Sequence, residues 1–391
     1  MQHSFYQGIE GVLLSIVLVC SSVLVLLGHK QTHLGAYDEH LDVLESSLAH
    51  SVEPTPAEYI PSRVKLYAWG DIMLSRAIGY YNKLNNWQTM LGSWAYNPVN
   101  DWCQNDCLLV FNLESLFSKT PHDDPESSYY FAANTKNIDI IHRLRGRNSL
   151  YLSLANNHAV NVRYEGVMFT RAFLDQEGIF YGGVTGDTSL TGYNVTAIDQ
   201  DNIRVCLSSY TYDGAVYGSV YYPYTLEALK LSAIERDVAI MTERDCDVKI
   251  ANLHRGREYR IAPTLDQREL GHQIVDAGMD LILWNHSHVP GVIEEYHDKY
   301  IVYSMGNHIF DQDWWRANCE HGLYDVIYDY ELDRCTVPTY IGLNLGFIIT
   351  KDESDRIDIA LEHVDLFGNK RWIHYRLDEK TKQSLLEEIR N

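Results

Sequence analysis

Basic residues are scarce in this chain: 32 Lys and Arg face 53 Asp and Glu, a formal net charge of −21 over 391 residues. Affinity for a phosphate backbone comes from clustered Lys and Arg, so this balance excludes nucleic acid as a partner. No Gly-x-x-x-x-Gly-Lys-Ser/Thr phosphate loop occurs, which leaves any nucleotide-driven ligation to another protein. There is no internal repeat and no low-complexity array. Among the seven cysteines only Cys103 and Cys107 lie close together, and without a second close pair zinc binding by cysteine is disfavoured.

Charge is missing altogether from Gly11 to Gly28, a run bracketed by Glu10 and Lys30. At ~1.5 Å per residue it covers most of the ~30 Å hydrocarbon core of a bilayer. A cleaved signal peptide is the rival reading. It fits less well, because the apolar run exceeds the usual ~7–15 residues, no Lys or Arg precedes it and no small-x-small cleavage site follows. Residues 11–28 are therefore expected to be a retained single-pass membrane anchor behind a short tail, 1–10, with the main domain extracytoplasmic. Residues 29–62 are polar, carry Pro54, Pro56 and Pro61, and read as a juxtamembrane tether, with a short amphipathic helix through Leu41, Leu44 and Leu48 as the alternative. The six later cysteines, an even set, permit disulfides in an oxidising compartment; six separate buried thiols are the other reading. Asn194-Val195-Thr196 is a glycosylation sequon that only a eukaryotic secretory setting would use.

The rest of the chain has an ordinary globular composition, 46% hydrophobic with 28 Tyr. Short apolar runs at Val64–Ala68, Leu108–Phe111, Leu150–Leu154, Val248–Leu253 and Leu281–Leu283 read as buried strands. Helix-length stretches lie among them at Glu165–Gln176, Leu226–Met241 and Thr264–Ala277, the last stopped by Gly278. Strand and helix alternate, so an α/β fold with a mixed or mostly parallel sheet is expected over 63–311. Residues 312–391 read as edge strands at Gly346–Thr350 and Arg356–Val364 with a covering helix, Glu379–Arg390, of the same domain and without chemistry.

Short polar clusters follow the apolar runs: Gly70-Asp71, Asn112-Leu113-Glu114, Asn156-Asn157-His158, His254-Arg255-Gly256-Arg257-Glu258, His286-Ser287-His288 and Gly306-Asn307-His308. Side chains at the carboxyl ends of parallel strands project into a common crevice, so the clusters are expected to build one metal-centred site. Gly70 lets the backbone turn where a carboxylate approaches a cation. His286 and His288 alternate by two and would face one side of an extended segment. A strand-end Gly-Asp alone is usually a turn, and a lone strand histidine usually a satisfied polar group; four histidines at strand ends outweigh those readings. Imidazole with carboxylate suits Zn, Mn or Fe. Arg255, Arg257 and Arg260 flank the His254 cluster. On an acidic protein such a cationic lip points to an anionic substrate, against the plainer reading of a solvated arginine face.

This order of clusters resembles the metallophosphoesterase (calcineurin-like) layout. More closely, Gly70-Asp71-Ile72-Met73-Leu74, Asn112-Leu113-Glu114, Ser153-Leu154-Ala155-Asn156-Asn157-His158, His254-Arg255-Gly256-Arg257-Glu258-Tyr259 and Tyr303-Ser304-Met305-Gly306-Asn307 resemble the CapA family of poly-γ-glutamate capsule synthesis proteins, over about Arg63 to Asp311. The resemblance implies metallophosphoesterase-like mixed β-sheet layers flanked by helices, and the N-terminal transmembrane helix fits it. It implies one or two divalent metal ions surrounded by Asp71, Glu114, Asn157, His254, His286 and His288. His158 is then expected as acid/base and Glu258 as a second catalytic residue, with Arg255, Arg257, Asn307 and His308 binding substrate. A cation so placed would activate water and stabilise charge on a phosphoryl or carbonyl oxygen, and His158 would protonate a leaving group.

The chain also departs from the pattern. Met73 stands where phosphoesterases have the His of Asp-x-His, as is common in the CapA type, so one metal position is short of a ligand. Asn161 replaces a usual Asp, Trp284-Asn285 a usual Gly-His, His308 a usual Phe, and Arg255 and Arg257 a Trp and a small or β-branched residue. These changes keep the metal set and alter its rim. The expected function is membrane-anchored assistance in synthesis, export or release of an anionic polymer such as poly-γ-glutamate, with a polymer ligase and small membrane subunits as partners. The alternatives are a metal-dependent hydrolase of a phosphoester or amide, and a non-catalytic polymer-binding or complex-assembly protein.

Overall fold

The computed structural model describes residues 60–83, 102–104, 106–124, 130–184, 194–212, 228–312, 327–329, 334–370 and 373–390. The expected anchor and nearly all of the tether lie outside them, and among the described residues no helix is long and apolar enough to cross a membrane. Pro61–Asn391 make up one compact unit. Its chain begins β1 (Ser62–Ile72), α1 (Arg76–Lys83), β2 (Cys107–Leu113), α2 (Ile138–Arg145), β3 (Ser149–Ser153), α3 (Arg163–Gln176) and β4 (Phe180–Gly182). It continues with β5 (Thr196–Gln200), β6 (Ile203–Thr211), α4 (Leu231–Glu243), β7 (Val248–His254), α5 (Leu265–Asp276), β8 (Leu281–Asn285), β9 (Ile293–Tyr296), β10 (Lys299–Val302) and β11 (Asn307–Ile309). The last elements are β12 (Ile341–Lys351), β13 (Ile357–Lys370), β14 (Ile373–Arg376) and α6 (Glu379–Ile389).

Two mixed sheets result. One has the order β14-β13-β12-β1-β2-β3-β4, with β11 pairing the end of β1; the other has the order β9-β10-β8-β7-β6-β5. β1 to β4 are mutually parallel, as are β6, β7, β8 and β10, and antiparallel strands complete the sheets. Alternation along β1 explains the layering, because both of its faces are buried. Leu66 and Ala68 join Leu108 and Val110 of β2 in one core with Leu207, Ile250 and Leu283 of the second sheet. Tyr67 and Trp69 point the other way, into a core with Ile141 and Leu144 of α2 and Leu174 of α3. On the far side, Ala251 and Ile282 pack with Ile234 of α4 and Ile274 of α5. The layers are therefore helix, sheet, sheet, helix, and strands covered on both faces read as near-continuous apolar runs. Each such Leu or Ile contributes about 1.5–3 kcal/mol by its burial.

One expectation is corrected. β12, read as an edge strand, pairs with β1 inside its sheet, and β14 takes the edge instead. The reason is that every residue from Ile341 to Ile349 is buried, which an edge strand facing water would not tolerate. The sequon is closed to glycosylation by burial: Asn194 is fully inaccessible, its amide donates to Asp237 Oδ2 at 2.8 Å and its Oδ1 accepts the Ser209 N–H at 3.2 Å. Four cysteines form the disulfides Cys103–Cys107 and Cys206–Cys246; Cys319 and the Cys335 side chain lie outside the described part.

Candidate metal centre

Strand register delivers the polar clusters to one place. Asp71 lies opposite Asn112 on one side and Asn307 on the other, and in the second sheet Asn285 lies opposite His254. Gly70 works differently from the turn expected of it, since β1 continues through it to Ile72. A Cβ there would sit 1.8 Å from the carbonyl oxygen of Gly306, so only glycine lets that backbone approach. The Asp71 N–H donates to the same carbonyl at 2.9 Å, which fixes the carboxylate at the strand end.

His286 and His288 reach the site by a turn rather than along an extended segment. β8 ends at Asn285, and the two histidines take φ values of 92° and 59°, a region costly for any residue with a side chain. Tyr259 N–H donates to the Ser287 carbonyl at 2.7 Å and Ser287 Oγ donates to the Arg260 carbonyl at 2.6 Å, so the loop after β7 clamps the turn.

Glu114 stands at the centre. It is fully buried, and neither carboxylate oxygen accepts a hydrogen bond from a described residue. Its Oε1 lies 3.6 Å from His254 Nε2, 3.8 Å from His288 Nε2 and 3.8 Å from His158 Nε2. His254 Nε2 also meets Asn157 Oδ1 at 2.8 Å and His286 Nδ1 at 3.1 Å. Asp71 lies 3.3 Å from His288 Nδ1 through Oδ2, while its Oδ1 accepts from the Asn112 amide at 2.7 Å. The same amide is 3.1 Å from His254 Nδ1, so Asn112 orients a carboxylate and an imidazole together.

The electrostatics are those of a site suited to a cation. Burial, then the neighbouring Asp71 charge, raises the Glu114 pKa well above the carboxylate range. Burial, then the adjoining imidazoles, holds His254 and His286 well below the usual histidine value, so both are neutral and keep a lone pair. Burial would lower His288 too, but the charges of Glu114 and Asp71 outweigh it and raise the group to about 10. Glu114, His254 and His286 offer ligand atoms within 4.8 Å of one another, as do Asp71, Glu114 and His288. A buried carboxylate without a donor, shared by two such groups, fits a divalent ion in Zn-, Mn- or Fe-type chemistry. Asp71, Glu114, Asn157, His254, His286 and His288 are thus brought together.

The remaining expected residues divide. His158 keeps 14% of its side chain exposed, whereas the side chains of His254 and His288 are at 1% and 4%, and it belongs to neither ligand group. Its ring stacks on Phe131 at 3.8 Å, and Asn161 Oδ1, which accepts the Phe131 N–H at 2.9 Å, lies 3.0 Å from His158 Nδ1. An amide oxygen only accepts, so Nδ1 carries the proton and Nε2 faces Glu114. Glu258 is exposed, and its negative charge raises both Glu114 and His288 from outside. Arg255 and Arg257 are exposed and border a cavity of about 400 Å³ beside Trp284 and Leu270. Asn307 is buried and positions His288, its Oδ1 2.9 Å from Nδ1 and its amide donating to the Thr339 carbonyl at 2.8 Å. His308 does not join the site: it is fully buried and stacked on Trp69 at 3.4 Å. Phe131 belongs to the site although sequence reasoning does not assign it there, and Asn112, expected only as part of its cluster, has an orienting role that sequence reasoning does not give it. Asn112 is signalled by its place beside Leu113-Glu114, but Phe131 lies 27 residues before His158 in a stretch with no motif.

Capsule biosynthesis protein CapA of Bacillus anthracis is 25% identical over 256 residues, 63% of this chain and 60% of that protein. PGA biosynthesis protein CapA of Bacillus subtilis (strain 168) is 28% identical over 183 residues, 46% of this chain and 48% of that protein. The chain thus spans about half to three fifths of the length of these relatives. Among solved structures, the calcineurin-like phosphoesterase YfkN of Bacillus subtilis aligns over 85% of this chain and 100% of its own, at 12% identity and a TM-score of 0.44, a likeness too low to assign chemistry. The family profile described as bacterial capsule synthesis protein PGA_cap matches residues 65–312, the stretch that holds every residue of the cluster, and the chain belongs to that family.

Proposed function

We propose that this protein assists synthesis, export or release of an anionic polymer, poly-γ-glutamate, as a metal-dependent, membrane-anchored accessory whose main domain is extracytoplasmic. The observation that carries the reading is the Glu114 cluster together with a cavity lined by two arginines, the first of which directly follows His254 of the cluster. Neither Arg255 nor Arg257 has an ion pair among the described residues, on a chain of net charge −21. The printed names of the relatives support the polymer, and two disulfides support an oxidising compartment. Ligation itself falls to a partner ligase with small membrane subunits, because the chain has no phosphate loop.

A bound divalent ion would supply Lewis acidity at Asp71, Glu114, Asn157, His254, His286 and His288. Asn112 and Asn307 hold His254 and His288 in place, and Arg255 and Arg257 draw in carboxylates. The test is equilibrium binding of poly-γ-glutamate to the full chain at low and high salt, with metal content measured alongside. Arg255→Gln/Arg257→Gln should weaken binding at low salt, keep its metal, and differ less from the parent at high salt as charges beyond ~8–10 Å are screened. Equal affinity at low salt would leave the arginines a solvated face.

A second reading, a metal-dependent hydrolase of a phosphoester or amide, is favoured by the partly exposed His158, whose Nε2 points to the cluster. There His158 would hold a proton for a leaving group. Under it, His158→Ala should abolish turnover of a phosphoester or γ-glutamyl substrate and leave metal content nearly unchanged. Loss of metal with activity would make His158 a ligand instead.

A further inference from the structure

A second cavity, of about 440 Å³, lies away from the arginine cavity and has the same charge make-up. Its wall includes Lys119, Arg163, Ser118, Thr120, Tyr130 and Phe169, with Glu165 as its carboxylate. Two cations thus face one acid, as Arg255 and Arg257 face Asp266 in the first cavity. Lys119 and Arg163 are both exposed, and neither is ion-paired among the described residues. Lys119 Nζ instead rests 5.4 Å from the Phe169 ring centre. Arg163 is held at φ 57°, a conformation that costs energy and that persists where the surroundings enforce it.

The position of this cavity gives it meaning. Arg163 directly follows the 3-10 helix Asn157–Val162, and that helix starts at Asn157, whose Oδ1 meets His254 Nε2 at 2.8 Å. Arg255 follows His254 directly. The 3-10 helix thus runs from the metal cluster at Asn157 to Arg163, about 12 Å for six residues, and Arg255 leaves the same cluster at His254.

We infer that the Lys119–Arg163 cavity is a second binding site for a carboxylate-bearing polymer, taking a segment of the same chain that lies at Arg255 and Arg257. The inference rests on the polymer reading above. A repeating polyanion can occupy both cavities at once, and the second contact is then intramolecular, which raises affinity without any further contact. A single glutamate cannot span them.

The experiment is poly-γ-glutamate binding by the full chain at low and high salt, with Lys119→Gln/Arg163→Gln, the milder Lys119→Gln, and a control, Lys136→Gln/Arg147→Gln, on exposed cations flanking α2. The expected result is a loss of roughly three- to tenfold for the double variant at low salt, shrinking at high salt, with unchanged metal content and melting temperature. Lys119→Gln alone should show part of the loss, which guards against a folding defect at Arg163. Wild-type binding matched by both variants overturns the second site and leaves the polymer reading standing. An equal loss from the control pair overturns it as a bulk-charge effect. Wild-type protein that binds no polymer at low salt overturns both.

Discussion

Glu114 Oε1 stands 3.6 Å from His254 Nε2, and no described residue donates a hydrogen bond to either oxygen of that carboxylate. A buried acid in this state is costly, because it has given up water without gaining a hydrogen bond in return. The surrounding residues relieve it only in part: the His288 charge, 3.8 Å from Oε1, favours the ionised carboxylate, but Asp71 adds like charge and His254 is driven neutral by burial. The cluster makes energetic sense around a cation, and the first two predictions follow from that imbalance.

Glu114→Gln removes the charge and keeps the shape. It should strip the protein of divalent metal after loading, measured by elemental analysis. After chelation, however, the variant should be no less stable than the parent and up to about 1–3 kcal/mol more stable by denaturant midpoint, since the buried carboxylate has no hydrogen bond to lose. A variant that keeps full metal occupancy would take Glu114 out of the ligand set.

His288 has its folded-state pKa raised to about 10 by Glu114 and Asp71 acting against burial, above the ordinary value of 6.5. A raised histidine contributes stability fully below the unfolded pKa and loses it as pH climbs through the folded one. Metal-free protein should therefore weaken between pH 6.5 and about 10, by up to about 1.4 kcal/mol per pH unit more than His288→Gln does. Parallel stability curves for the two proteins over that range would exclude a charged His288. Metal binding in the same range should release a proton, which calorimetry in buffers of different ionisation enthalpy can count.

Much of this is legible in the sequence, for reasons particular residues make clear. The strand runs at Leu66, Val110, Leu152, Ile250 and Ile282 stand out because both faces of each sheet are covered, so the runs are almost wholly apolar. The ligand residues stand out because strand ends gather side chains that are far apart in the chain. What stays hidden is whatever depends on a single backbone conformation. The positive φ at His286 and His288 has no marker in His-Ser-His, and a period-two pattern gives the right convergence for the wrong geometry. His308 has the composition of a site residue, yet Trp69 and Phe367 hold it in aromatic packing. β12 reads as an edge because it lies in a tail without motifs, and nothing in its sequence marks that Gly342 and Gly346 are glycines because a neighbouring ring or backbone atom comes within 3.0 Å of where a Cβ would stand.

Gly70→Ala tests how the two halves of the site are joined. The added methyl would lie 1.8 Å from the Gly306 carbonyl oxygen and 2.9 Å from that of Met305. Both obstacles are backbone, so neither can rotate away, and overpacking of this kind costs at least the usual ~1–3 kcal/mol. The variant should lose that much by denaturant midpoint and also bind metal more weakly, since Asp71 hangs on the Gly306 carbonyl. Wild-type stability would mean that β11 can move away from β1 freely.

The disulfides make the last prediction, and they bear on where the protein works. Cys206 on β6 is bonded to Cys246, 40 residues later in the loop between α4 and β7, whereas Cys103 and Cys107 are only 4 apart. Closing a loop of the larger size removes about 4 kcal/mol of unfolded-state entropy, against about 2 for the smaller. Cys206→Ala/Cys246→Ala should therefore lower stability by more than Cys103→Ala/Cys107→Ala, with some cavity cost in both because all four side chains are buried. Alkylation of unfolded protein before and after reduction gives the direct check: in protein recovered from an oxidising compartment, Cys103, Cys107, Cys206 and Cys246 should become reactive only on reduction. If those four are already free in such protein, the cross-links are absent and the main support for an extracytoplasmic domain goes with them.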